Sequence, residues 1–303
     1  MRIEPVILAM SATPFHADGS LDEAAIRAHL RRFVNAGVGV YLGSGGAGEG
    51  HALNPEELSR LYRIGVEVCR GQVPVHANPP ESRTAAEMYA KARRAADAGV
   101  DYVQLYALDA GHGMRPTVGE QNAYYRSLLD ELDHPVALSV HGYQGYLTPI
   151  SLLRQLTLDY PQLVAINVMV RPFDYFVELR DALGPRLEYY TLGYELVQGL
   201  SLGASGCLSA EPNLAPELCQ SLVDYALAGQ LTRAGEAQAD WIRLGTLVSK
   251  WAPSTARWVK LGLKALGLGN GVIRPPYLAP GADALAELTA GLARLGLTPR
   301  QAD

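Results

Sequence analysis

A chain of 303 residues with 48% hydrophobic and 19% charged side chains has the apolar content of a folded core and is not a disordered protein. A net charge of −5 gives no electrostatic reason to expect a nucleic-acid partner. No apolar run approaches the ~18 residues of a membrane helix. Residues 1–10 carry an early acid, Glu4, and too short an apolar run for a signal peptide, so a cytoplasmic location is expected.

Short β-rich runs alternate with longer helical patterns along the chain. Strands are predicted at 5–12, 38–42, 73–77, 102–105, 136–140, 164–169, 187–191 and 206–209. These runs lack strict polar alternation, as a parallel sheet covered on both faces requires. Helix starts are signalled by capping-box patterns at Ser20/Glu23, Thr84/Glu87 and Thr117/Glu120. Asn54-Pro55 and Thr148-Pro149 place a capping side chain before proline. Gly37, Gly99 and Gly184 mark helix ends.

Eight strands with helical crossovers predict an α/β fold, a (β/α)8 TIM barrel over residues 1–215. A helical C-terminal region carrying Trp241, Trp251 and Trp258 follows over 216–303. A doubly wound sheet is the rival, but the turn after the first strand has no GxGxxG. Cys69, Cys207 and Cys219 are widely spaced without a CxxC, which fits buried packing roles rather than disulfides or zinc.

Barrel chemistry belongs in the loops after the strands. The second such loop, Gly43-Ser44-Gly45-Gly46-Ala47-Gly48-Glu49-Gly50, can turn successive N–H groups toward an anion or can be only a permissive tight turn. His51, His76, His112 and His141 are assigned to such loops, whereas His16, His29 and His134 are expected at the periphery. With Glu49, Asp109, Glu195 and Glu211 the loop histidines are candidates for a metal centre, but no HxH or HExxH spacing supports one. Polar pocket lining is preferred, with no metal and no cofactor expected.

The chain resembles the dihydrodipicolinate synthase / N-acetylneuraminate lyase family of class I aldolases along nearly its whole length. The resemblance rests on Thr13-Pro14-Phe15, on Gly45-Gly46-Ala47-Gly48-Glu49 with Leu53 and Glu56-Glu57, and on Gly193-Tyr194-Glu195. It continues through Leu202 to Ser209, Asn213-Leu214-Ala215-Pro216, Lys260 to Gly267, and Val272-Ile273-Arg274-Pro275-Pro276. Such a resemblance implies a lysine at the end of strand six that forms a Schiff base with a 2-keto acid. Asn167 stands at that position, and an amide nitrogen is no such nucleophile.

The four lysines, Lys91, Lys250, Lys260 and Lys264, are all predicted away from strand ends. Other expected groups are replaced as well. The threonine pair becomes Gly46-Ala47, the strand-five tyrosine becomes Ser139, and the carboxylate-gripping arginine becomes Gln144. The Pro-Tyr-Tyr after strand four becomes Leu108-Asp109-Ala110-Gly111-His112-Gly113.

The implied binding set is therefore Gly45, Gly46, Ala47, Ser139, Asn167, Gly193 and Leu208, with His141, His112, Asp109 and Glu49 as acid–base candidates. Three readings follow. One is a protein binding a small keto or hydroxy acid, with diverged lyase-type chemistry that forms no imine. Another is a catalytically silent ligand-binding or regulatory relative. The last is a conventional aldolase or lyase acting on a 2-keto acid such as pyruvate. The resemblance also implies a homotetramer or homodimer, with no membrane or nucleic-acid partner.

Overall fold

The computed structural model describes residues 7–170, 173–251 and 254–299. Its strands are β1 (Ile7–Met10), β2 (Gly39–Leu42), β3 (Val75–Ala77), β4 (Tyr102–Leu105), β5 (Val136–Val140), β6 (Leu163–Val168), β7 (Glu188–Leu192) and β8 (Gly206–Ser209). Each pairs in parallel with the next, and β8 pairs with β1 to close the barrel. Closure excludes the open doubly wound sheet. Every predicted strand overlaps an observed one, and β4, β5 and β8 have the predicted bounds. Residues 5 and 6 of the first prediction lie outside the described residues.

The helices around the barrel are α1 (Glu23–Ala36), α2 (Pro55–Cys69), α3 (Ala85–Ala98), α4 (Val118–Leu129), α5 (Ile150–Asp159), α6 (Asp174–Leu183), α7 (Leu196–Ser201) and α8 (Pro216–Leu227). Then come α9 (Leu231–Val248), α10 (Thr255–Ala265) and α11 (Ala282–Arg294). Complete capping boxes form at Asn54/Glu57 and Thr117/Glu120. Thr84 caps α3, but the Glu87 carboxylate turns to the Arg83 N–H instead of completing a box. Two predicted caps move. Asp22 caps α1 by accepting from Ala25 N, because Ser20 is engaged by Asp18. Thr148 faces the Tyr125 hydroxyl, leaving α5 to begin after Pro149 without a side-chain cap. Gly37 and Gly99 end their helices at φ 72° and 82°, left-handed values that glycine adopts without a Cβ penalty.

Residues two apart on a strand share a face. One set packs outward against the helices in the main apolar core, with Leu30, Phe33, Leu153 and Phe176. The inward set brings Leu8, Tyr41, Ala137, Ala165, Tyr190 and Leu208 together inside the barrel. A third cluster lies at the C-terminal side, where Ala12, Ala47 and Ala210 meet Leu244, Trp258 and Val259 from α9 and α10. Fully burying such a Leu or Val contributes about 1.5–3 kcal/mol. Cys69, Cys207 and Cys219 are buried free thiols. Among the described residues, no helix is long and apolar enough to cross a membrane.

Candidate functional site

The floor of the barrel mouth is a network of amides and phenols. Asn167 lies on β6, 1% exposed, with Ser139 of β5 as its register partner. Its Nδ2 donates to the Tyr41 hydroxyl at 2.8 Å and to Gln104 Oε1 at 2.6 Å. The Tyr41 hydroxyl donates to the same Gln104 oxygen, and Gln104 Nε2 donates to Asn78 Oδ1 at 3.0 Å. Burial pushes the Tyr41 phenol up, so it remains a neutral donor. Burial raises the Tyr106 phenol too, against smaller opposing effects of hydrogen bonds from Asn78 and Gln104. Tyr41 and Gln104 both take the Asn167 Nδ2 as donor, and its delocalised nitrogen lone pair cannot attack a carbonyl.

Above this floor stands His141, 4% exposed, just past the end of β5. Its Nδ1 accepts the Tyr143 N–H at 3.2 Å. Tyr106 meets the ring edge-on at 5.0 Å, and Tyr143 lies tilted at 4.5 Å. Burial lowers its pKa to about 4, keeping the imidazole neutral at ordinary pH. The 78–84 segment, which follows β3, brings the Glu81 carboxylate beside Gly45; a Cβ built there would sit 3.3 Å from Glu81 Oε2. Lys91 on α3 anchors this segment, donating to the Pro80 and Glu81 carbonyls and to Ser82 Oγ at 3.2, 3.0 and 2.9 Å.

The glycine-rich loop is folded on itself. Gly48 N donates to Ser44 Oγ, Gly50 N to the Ser44 carbonyl and Glu49 N to the Gly46 carbonyl, at 3.0, 2.8 and 3.3 Å. Those three N–H groups are thereby engaged within the loop. Gly45 and Gly46 border Glu81 and Thr255, while Ala47 is fully buried in the cluster with α10. Glu49, at φ 50°, points its carboxylate to buried Lys260 and to the Arg274 N–H. It joins the C-terminal region to the loop rather than facing His141.

The remaining candidates are dispersed. Asp109 caps its own turn by accepting from Gly111 N at 3.1 Å, and His112 is exposed at φ 48° in the same loop. Gly193 lies under α9, where a Cβ would come 2.5 Å from the Trp241 ring. Leu208 belongs to the apolar interior of the barrel. Glu211 accepts from the Tyr194 and Ser209 hydroxyls.

Two histidines are not where the sequence placed them. His76 is an inward residue of β3, not a loop residue, stacked on Tyr102 with centroids 4.4 Å apart. His29 is buried rather than peripheral, with Nε2 donating to Asn213 Oδ1 at 2.9 Å. Among the described residues, no three His, Cys, Asp or Glu side chains converge to hold a metal ion.

Tyr41, Asn78, Glu81, Gln104 and Tyr106 were missed by sequence reasoning. One signal was available: a glutamine at the centre of a short buried strand needs an internal partner.

The family model described as "Dihydrodipicolinate synthetase family" matches residues 4–294. The chain belongs to the dihydrodipicolinate synthetase family. A 4-hydroxy-tetrahydrodipicolinate synthase from Chlorobium phaeovibrioides is 25% identical to this family member over 293 residues, covering 94% of this chain and 95% of its own. A probable 5-dehydro-4-deoxyglucarate dehydratase from Methylobacterium radiotolerans is 29% identical, covering 94% of this chain and 93% of its own. A prophage protein of the dihydrodipicolinic acid synthase family from E. coli K12, solved in complex with pyruvate, superposes with a TM-score of 0.88 at 20% identity. That match covers 97% of this chain and 99% of the other, and it reflects the shared barrel fold.

Proposed function

We propose that this chain binds a small keto or hydroxy acid at the barrel mouth and carries out lyase-type chemistry on it without forming an imine to the protein. The observation that carries this reading is the engagement of buried Asn167 with Tyr41 and Gln104 at the end of β6. An amide held there gives no amine for a Schiff base. The lysines support the same reading: Lys91 is bound to the 80–82 segment, Lys250 lies in the turn after α9, and Lys260 and Lys264 lie on α10. Ligands of this class agree with the pyruvate complex of the E. coli neighbour and with the sugar-acid name of the Methylobacterium relative.

A catalytically silent binding or regulatory role is the second reading. It is favoured by a floor built of amides and protonated phenols, none of them poised to exchange a proton near neutral pH. Family resemblance further supports a homodimer or homotetramer in the cytoplasm.

Titration calorimetry against a panel of 2-keto and 2-hydroxy acids is the direct test, paired with borohydride treatment in pyruvate and intact-mass measurement. Binding heat without a covalent adduct is expected. An adduct on any lysine would overturn the imine-free chemistry, and absence of heat with every acid would overturn the binding itself. Turnover of a bound acid separates the enzyme from the silent relative.

A further inference from the structure

When a protein amine adds to a keto acid and forms an imine, the carbonyl oxygen leaves as water. With an amide at position 167 that oxygen stays on the ligand and needs a donor of its own. His141 is the candidate for that donor. It follows Ser139 by two residues on the inward side of β5, which sets it about 7 Å nearer the opening than the level of Asn167. Because its Nδ1 accepts the Tyr143 N–H, the neutral ring carries its proton on Nε2. That Nε2 is buried and has no hydrogen-bond partner. In the same loop both the nitrogen and the oxygen of the Gln144 amide are also buried without partners. Buried polar groups in folded proteins are nearly always satisfied, so an unpaired ring nitrogen just past the end of β5 points to a ligand.

We infer that His141 is a ligand-binding residue whose Nε2–H donates to the carbonyl oxygen of a keto acid held above Asn167. This assignment rests on the proposed binding of such an acid. The ring acts as a neutral donor, not as a base: the Tyr143 N–H holds the tautomer, and the flanking Tyr106 and Tyr143 rings hold its plane. The low proton affinity that burial imposes agrees with this role. Such a donor favours ligands with an acceptor at C2 and polarises a keto group toward attack or enolisation.

The test begins on the wild-type protein labelled with 15N-histidine, titrated with pyruvate. The His141 ring should report the Nε2–H tautomer before addition, and its Nε2–H resonance should move on binding. His141→Phe keeps the ring packing without the donor and should weaken pyruvate about tenfold, the loss of one net hydrogen bond. His141→Gln returns an N–H near the same point and should recover most of that loss. An Nδ1–H tautomer in the free protein overturns the assignment whether or not anything binds. Pyruvate that binds His141→Phe as tightly as wild type also overturns it while leaving the barrel-mouth reading intact. A wild-type protein that binds no acid of the panel overturns that reading, and the His141 assignment falls with it.

Discussion

Lys260 on α10 and Glu49 in the loop after β2 form an ion pair buried on both sides, with 5% and 1% of their side chains exposed. The ammonium also donates to the Val272 carbonyl at 2.8 Å and lies 4.0 Å from the centre of the Phe15 ring. Arg274 completes the junction, with its backbone N–H on Glu49 and its guanidinium on both oxygens of Glu57 at 2.7 and 2.5 Å. The C-terminal region is thereby tied to the segment that forms one side of the barrel mouth. Burial outweighs the attraction of Glu49 and lowers the Lys260 pKa to about 8.

Removing one partner of that pair strands the other charge in the interior. Lys260→Met should therefore destabilise the fold by about 3–5 kcal/mol in urea denaturation. Adding Glu49→Gln should restore part of the loss, since it removes the stranded carboxylate. A Lys260→Met variant as stable as wild type would show that the pair carries no net structural weight.

Asn213 joins the two strands that close the barrel. Its Oδ1 accepts from Ala12 N and His29 Nε2, and its Nδ2 donates to the Met10 and Ala210 carbonyls at 2.9 and 2.7 Å. Asn213→Ala would leave several buried groups unpaired, and a stability loss of about 3–5 kcal/mol is expected. Thermal melting checks this, and Asn213→Asp should also fail because it cannot donate to either carbonyl.

Acid should weaken the protein well before its carboxylates titrate. Burial lowers His29 and His76 from 6.5 to about 3, and His141 to about 4. Between these values and 6.5 the unfolded chain binds more protons than the folded one, so stability falls as pH drops through that window. Above pH 6.5 these rings contribute no slope. His76→Phe should flatten the dependence of the urea midpoint between pH 6.5 and 4, and an unchanged slope would count against it.

The glycines of the mouth loop are not equivalent. A Cβ on Gly50 would overlap the Gly43 carbonyl oxygen, whereas on Gly46 it would rest 3.5 Å from Thr255 Oγ1, an ordinary contact. Gly50→Ala is expected to lose at least about 3 kcal/mol, and Gly46→Ala less than about 1 kcal/mol. Paired melting curves decide it.

Sequence by itself determined the repeating strand–helix order, the parallel barrel and several of the helix caps. Each follows from local chemistry: short β-branched runs, capping side chains, and glycines taking left-handed turns. It also singled out position 167, because the surrounding Leu163 to Val168 pattern survives around the asparagine. Tertiary structure alone decided what meets at the mouth. Tyr41, Gln104 and Asn167 lie 63 residues or more apart in the chain and share hydrogen bonds because three strands face one interior. Glu49 and His141, both polar residues after strands, were indistinguishable as candidates in the sequence. Closing the barrel turned one toward Lys260 and left the other with a buried, unpartnered nitrogen, since a side chain's partners are set by the walls around it and not by its neighbours in the chain.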